Sequence, residues 1–199
     1  MDEIEGRARS LDGWQLGFTA LVAFMWSLFQ LWHASPLPYI FKMGVFIDVP
    51  ARAIHLAFAL TICFLLFSFS KRKRGTKFSV LDLIFSLLAA CGCLYIFAFY
   101  EEIVDRNGVL QLFSFSLNNQ QYLFPSELVL GALGICFLLE ATRRAIGLPL
   151  VIIALVFLIY SYFGQSMPDL IAHKGLSISR LVGYQWLGGE AIFGIPISV

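Results

Sequence analysis

The run Lys71-Arg72-Lys73-Arg74-Gly75-Thr76-Lys77 separates two long apolar stretches of the chain. Loops rich in Lys and Arg are retained on the cytoplasmic side of a membrane. A cluster of cations directly after an apolar stretch is therefore typical of the point where a membrane helix leaves the lipid on that side. The run predicts both a membrane protein and the orientation of its helices.

The composition favours the same class of protein. Apolar residues make up 59% of the 199 residues, charged residues only 14%, and the mean hydropathy is +0.79. Such a chain has too little polar surface to cover a water-soluble globule of its size. A net charge of +1 provides no strongly basic or acidic surface. We therefore expect the lipid bilayer as its surroundings and no nucleic acid as a partner.

Five apolar segments indicate helices that cross the membrane, which takes roughly 17 to 25 residues per helix. The fourth segment is the shortest, and a further apolar run begins close to the carboxyl end of the sequence. We predict an all-α integral membrane protein, a bundle of about five to six transmembrane helices with its amino terminus in the cytoplasm. The five segments are residues 14–32, 54–69, 78–99, 128–141 and 148–163.

The distribution of cations tests this topology. Nine of the 14 Lys and Arg residues fall on the predicted cytoplasmic side and five on the other side. This asymmetry is the one that the positive-inside rule requires. The inner group is Arg7, Arg9, Lys71, Arg72, Lys73, Arg74, Lys77, Arg143 and Arg144, and the outer group is Lys42, Arg52, Arg106, Lys174 and Arg180.

Two acids are expected to act at the starts of helices. Ser79 and Asp82 have the spacing of a capping pair at the start of the third segment. Glu127 follows Pro125 and Ser126 at the start of the fourth segment, where the helix dipole favours a negative charge. Both acids thereby have a predicted structural role.

No residue pattern indicates catalysis or metal binding. The histidines His33, His55 and His173 are scattered, and none lies at ligand spacing from a Cys or a carboxylate. No glycine-rich phosphate-binding loop is present in the sequence. We expect no enzyme activity, no catalytic residue, no metal site and no bound cofactor. The four cysteines, which lie in apolar segments, are expected to be buried packing residues: Cys63, Cys91, Cys93 and Cys136.

A series of short motifs follows from Glu140 to Pro196. In order and spacing the series resembles the junction region of tripartite ATP-independent periplasmic (TRAP) transporters. More narrowly it resembles the TAXI-type permeases, in which a small four-helix membrane subunit is fused in front of the large transporting subunit. The first four segments match that family only in number, length and topology. The motifs are Glu140-Ala-Thr-Arg143-Arg144, Gly147-Leu-Pro149, Tyr160 to Gly164, Met167-Pro168, His173-Lys-Gly175, Ser179-Arg180-Leu181, and Glu190 to Pro196.

The resemblance implies two parts. Residues 1–147 would be a four-helix domain like the small subunit, and residues 148–199 the start of the large transporting subunit. It further implies a multi-pass protein of the prokaryotic cytoplasmic (inner) membrane. Such a protein imports a carboxylate-type solute, delivered by a periplasmic solute-binding protein, by means of a cation gradient that is usually one of sodium.

The family's permeases continue with further helices and with the hairpins that bind solute and ion. The resemblance therefore implies that the substrate site and the coupling cation lie beyond Val199. It predicts that these 199 residues do not transport alone and need the remainder of the large permease subunit. The alternative function is a non-transporting helical scaffold that anchors or assembles partner proteins.

Three residues at the predicted inner face are candidates for a structural or interaction role. Glu140 can pair with Arg144 one helical turn later. Arg143 and Arg144 are placed to satisfy the last carbonyls of their helix and its dipole. These contacts require no ligand.

A second candidate group lies near the end of the sequence. Glu190, Gly194 and Pro196 combine an acid with flexible backbone just before an apolar run. In transporters, helices interrupted in this way can line a cavity. A plain outer loop leading to the next helix is the alternative.

Overall fold

The computed structural model describes residues 8–46, 48–69, 77–106, 109–117 and 120–194. Of the cationic run, only Lys77 lies in these ranges, and Pro196 lies outside them. Five long helices make up most of the described chain. They are α1 (Gly13–Ala34), α3 (Asp48–Leu66), α4 (Val80–Asp105), α5 (Ser126–Ala145) and α6 (Leu148–Tyr162).

Each of the five predicted segments coincides for most of its length with one of these helices, which confirms the all-α membrane bundle. Residues 67–69 of the second segment lie beyond the end of α3. Three helices, α1, α3 and α4, are long and apolar enough to cross a membrane by length and composition. Helix α6 is apolar but has 15 residues, and α5 carries charged side chains near both ends. The number of crossings and the cytoplasmic amino terminus stay predictions. We call the side that carries Arg9, Lys77 and Arg144 the inner face, after the predicted orientation.

Two helices extend beyond the predicted segments at their outer ends. Helix α3 begins at Asp48 because a proline, Pro50, is tolerated in a first turn and Asp48 can pair with Arg52 at i, i+4. Helix α4 continues to Asp105 through a kink at Phe99, where φ is −116° and ψ is 18°. Both additions contain charged residues, which lower the hydropathy there: Asp48 and Arg52 in α3, and Glu101, Glu102 and Asp105 in α4.

The connections on the outer side contain short elements of their own. A one-turn helix, α2 (Leu37–Phe41), follows α1. Two strands, β1 (Phe113–Leu117) and β2 (Gln120–Phe124), pair antiparallel with Phe113 opposite Phe124 and Leu117 opposite Gln120. Three further short helical elements complete the described chain: the 3₁₀ turn Gly164–Ser166, α7 (Ile178–Val182) and the π-helical turn Gly183–Leu187.

The core of the bundle forms around α3, whose contact with α4 is the most extensive between helices of the described chain. The buried side chains of α3 recur every three or four residues and form one face, from Val49 through Leu56 and Leu60 to Phe64. The facing side of α4 presents Ala89, whose small side chain lets the helix backbones approach closely. Helix α1 lies at the edge, with little of its surface buried.

The π-helical turn places one large side chain in the middle of the bundle. Trp186 is fully buried and packs against Gly134 of α5, and its ring comes within 3.8 Å of a Cβ built at Gly92 of α4. A Cβ added at Gly134 would overlap the indole ring of Trp186, and one added at Gly131 would lie 2.6 Å from Val182. The two α5 glycines thus form the recess that receives the segment 178–187.

The cysteines divide by helix face. Cys93 is buried and Cys63 is half-buried, but Cys91 and Cys136 are exposed. The expectation that all four are buried is wrong for Cys91 and Cys136. Residues two apart on a helix cannot face the same neighbour, so burial of Cys93 leaves Cys91 exposed, and Cys136 lies on an exposed face of α5.

Replacement of Gly134 by alanine is expected to destabilise the bundle by about 1–3 kcal/mol, the usual cost of an overpacked core. Its methyl group has no space beside Trp186. The matched control is Gly17→Ala in α1, where nothing lies within 4 Å of the added atom, and it should leave stability unchanged or raise it. The measurement is the thermal unfolding midpoint in detergent. Equal midpoints for both variants would show that Trp186 does not occupy this recess.

Candidate functional site

A buried carboxylate at the inner face joins parts of the chain that are distant in sequence. Asp82, in the first turn of α4, is fully buried. Arg144 Nη1 donates to Asp82 Oδ1 at 2.6 Å, and Arg9 Nη2 donates to Asp82 Oδ2. Both guanidinium groups are also buried. With Glu140 and Arg143 these residues form what we call the inner ion cluster.

Arg144 has the largest number of partners in this cluster. Its Nε donates to Glu140 Oε1 at 2.7 Å, and its Nη1 also donates to the carbonyl of Phe67 at 3.1 Å. The guanidinium carbon lies 4.8 Å from the centre of the Phe64 ring. A planar guanidinium can donate these hydrogen bonds and stack on an aromatic ring at the same time, whereas an ammonium group cannot. Arg144 therefore joins α5 to α4 and to the end of α3.

Glu140 links the two arginines at the end of α5. Besides its contact with Arg144, it accepts two hydrogen bonds from Arg143, from Nε at 2.7 Å and from Nη2 at 2.8 Å. The predicted Glu140–Arg144 pair at i, i+4 is thus present, and the Glu140–Arg143 pair is added to it. Arg143 remains partly exposed, so its ion pair with Glu140 stabilises the fold less than the buried pairs of Arg144 do.

Arg9 brings the segment before α1 into the cluster. Its backbone N–H donates to the carbonyl of Leu66 at 2.9 Å, and its Nη1 donates to the carbonyl of Leu65 at 3.4 Å. These carbonyls belong to the last turn of α3, where groups without an intrahelical partner need donors. From the sequence, Arg9 was predicted only as a cation of the inner side. Its role in capping the end of α3 and pairing with Asp82 was not predicted.

The predicted capping role of Asp82 is replaced by this pairing. Ser79 occupies the N-cap position of α4, but no side chain makes a capping hydrogen bond there. An unpaired buried charge costs more free energy than a missing capping hydrogen bond, so the buried carboxylate pairs with the arginines. The dipole at the start of α4 still favours the negative charge of Asp82.

A second group of paired charges lies at the outer ends of α4 and α5. The buried Glu127 accepts hydrogen bonds from Tyr95 Oη at 2.8 Å, from Arg106 Nη2 at 2.6 Å and from the N–H of Gln111 at 2.6 Å. Burial opposes the charge of Arg106, but the hydrogen bond and the attraction from Glu127 outweigh it and raise the pKa of Arg106. We call Tyr95, Arg106 and Glu127 the outer ion cluster.

The candidates near the carboxyl end are held by α3. Arg52 Nη1 donates to the carbonyl of Phe193 at 2.9 Å and to that of Gly194 at 3.3 Å. Gly194 closes a tight turn, since a Cβ there would lie 2.5 Å from the carbonyl oxygen of Glu190. The Glu190 side chain is exposed. This candidate group therefore forms an anchored turn next to α3, and Pro196 lies outside the described residues.

Polar side chains also connect α1 with α3. His55 of α3 accepts a hydrogen bond from Trp26 Nε1 at 3.3 Å and contacts the amide of Gln30. Within the described ranges, no group of three or more His, Cys, Asp or Glu side chains is placed to hold a metal ion.

No family model, no curated protein and no solved structure matches this chain.

Substitutions of the two neighbouring arginines should differ in effect. Arg144→Gln removes one of the two guanidinium partners of the buried Asp82 while Arg9 remains, and the loss of such a hydrogen bond to a charged group costs about 1.5–3 kcal/mol. Arg143→Gln removes a partly exposed contact and should cost about 1 kcal/mol or less. The measurement is the free energy of unfolding in mixed bicelles. Equal losses would contradict the placement of Arg144 inside the bundle.

Proposed function

We propose that the chain is a bracing membrane component of a cation-gradient-driven secondary transporter of the TRAP type. In this proposal it resides in the cytoplasmic membrane of a prokaryote. The complete transporter imports a carboxylate-type solute that a periplasmic binding protein delivers. Helices α1 to α5 are the brace, and the chain from α6 onwards belongs to the transporting part.

One observation carries the proposal. Glu140, Arg143 and Arg144 begin the stretch that resembles the TRAP junction, and the same three residues form the α5 side of the inner ion cluster. A brace has to keep one arrangement while its partner moves. Buried ion pairs favour a single arrangement, because each alternative leaves a charge without a partner. The residues of the resemblance thus have the physical role that a brace requires.

Helix α6 supports the division into two parts. Gly147, between α5 and α6, has φ = 127°, a conformation that side chains rarely adopt, and Pro149 follows in the first turn of α6. The helical path is therefore interrupted between α5 and α6, and the two helices still contact each other. Helix α6 is apolar on all sides and only Val151 is buried. A helix of this kind needs lipid or protein around it, and the remainder of the permease would supply the protein.

The position of the charges also favours a brace over a transport path. In the five long helices the Asp, Glu, Lys and Arg side chains lie near the helix ends, and the middle turns carry none. Solute and ion paths are typically marked by ionisable residues inside the membrane. We therefore assign solute and cation binding to the remainder of the transporter. A non-transporting scaffold would share the same brace, and uptake measurements separate the two functions.

The test is uptake of labelled mono- and dicarboxylates into proteoliposomes with an inward sodium gradient. The vesicle membrane contains this chain and the remaining permease helices, and a periplasmic solute-binding protein is added outside. We expect uptake only when all three are present, and about a tenfold or larger loss with Arg144→Gln, in line with the cost of breaking a buried pair. Arg143→Gln is the matched control and should retain most of the uptake.

Three outcomes would contradict the proposal. Uptake by vesicles with this chain alone would place the solute path on it. Equal uptake without the chain would show that it braces nothing. No uptake by the complete mixture, together with retention of the same partners on purification, would favour the scaffold.

A further inference from the structure

An open cleft of about 630 Å³ lies at the outer side of the bundle. It is bounded by the outer end of α4, the start of α5 and the segment from Leu176 to Gly189. Its volume is in the range of cavities that bind small molecules, about 300–1,000 Å³. Neither ion cluster needs this space, and the proposed bracing function does not use it. We call it the outer cleft.

The walls of the outer cleft are mainly apolar. Several of its side chains are well exposed, Val109 with 70% and Tyr184 with 54% of the surface accessible. Exposed apolar walls require an apolar occupant or lipid. The apolar residues that line the cleft include Ile103, Val104, Val109, Leu110, Leu176 and Leu187.

One acidic and one basic residue line the cleft, Glu127 and Arg180, and of the two only Arg180 has no partner for its charge among the described residues. Glu127 is buried and is already bound by Arg106, Tyr95 and the N–H of Gln111. Arg180 of α7 is exposed, and within the described chain its guanidinium forms no ion pair. The cleft thus combines apolar walls with a single available cation.

The depth of Arg180 in the bundle agrees with a position at the membrane surface. Val182 packs on Gly131, and Trp186 packs on Gly134, so the segment enters the bundle from the outer end of α5. Arg180 precedes both contacts and is further out. Long cationic side chains at this level reach the lipid headgroups while their stems stay beside apolar surface.

We propose that the outer cleft binds one anionic phospholipid, with an acyl chain along its apolar walls and the headgroup phosphate at Arg180. A phospholipid fits the observations better than a free carboxylate solute. Apart from Arg180, the cleft offers few polar groups to replace the water around a small solute, whereas an acyl chain needs none. The proposal does not depend on the transport function.

The test compares phosphatidylglycerol with phosphatidylcholine of identical acyl chains, using native mass spectrometry of the intact chain in detergent. One cation near a membrane surface contributes about 1 kcal/mol to the binding of an anionic lipid, which corresponds to an affinity about fivefold higher than for the zwitterionic lipid. We expect this preference in the wild type and its loss in Arg180→Gln. Arg180→Lys should keep it. The control is Lys174→Gln, which removes a nearby cation that does not line the cleft.

A second variant tests the cleft itself. Val109→Trp places a large side chain at an exposed wall, and it should weaken the binding of both lipids without changing the charge. Unchanged thermal midpoints establish that the variants are folded. The proposal is wrong if Arg180→Gln keeps the preference for phosphatidylglycerol, or if Val109→Trp binds both lipids as the wild type does. It is also wrong if millimolar glycerol phosphate or succinate displaces the lipid, because the site would then take a free anion.

Discussion

The position of Asp82 between Arg9 and Arg144 is the constraint on which the arrangement of the bundle depends. The carboxylate of Asp82 is 0% exposed, and hydrogen bonds from two guanidinium groups replace its contacts with water. In a surrounding of low dielectric constant, loss of either partner leaves the buried carboxylate with a single guanidinium group, and this costs free energy. The amino-terminal segment, α4 and α5 are therefore fixed relative to each other at one point, and the carbonyls at the end of α3 join them there.

Lipid as the surrounding solvent explains why such specific contacts are needed. Helix surfaces gain little by leaving lipid tails for other helices, so close packing and polar contacts must hold the helices together. This protein places ion clusters at both ends of α4 and α5, and Trp186 against the α5 glycines between them. The same reasoning applies to α6, which lacks such contacts on most of its surface and leaves most of its side chains exposed.

Hydropathy and helix periodicity predicted what is local in the chain. The five apolar segments and the Glu140–Arg144 pair depend on residues close in sequence, and both are present. The inner ion cluster was not predictable in this way, because Asp82 is separated from Arg9 by 73 positions and from Arg144 by 62. The spacing of Ser79 and Asp82 predicted a capping pair, which depends only on neighbouring residues. The burial of Asp82 between two arginines depends on the packing of distant segments, so the local pattern could not show it. Trp186 was missed because a π-helical turn leaves no period in the sequence.

Asp82 and Arg144 act as a pair inside the bundle, and a double-mutant cycle tests this pairing most directly. The free energy of unfolding in bicelles is measured for the wild type, Asp82→Asn, Arg144→Gln and the double variant. We predict a coupling energy of at least about 1 kcal/mol, with the double variant less destabilised than the sum of the single variants. Additivity within about 0.5 kcal/mol, the behaviour of independent sites, would contradict the account.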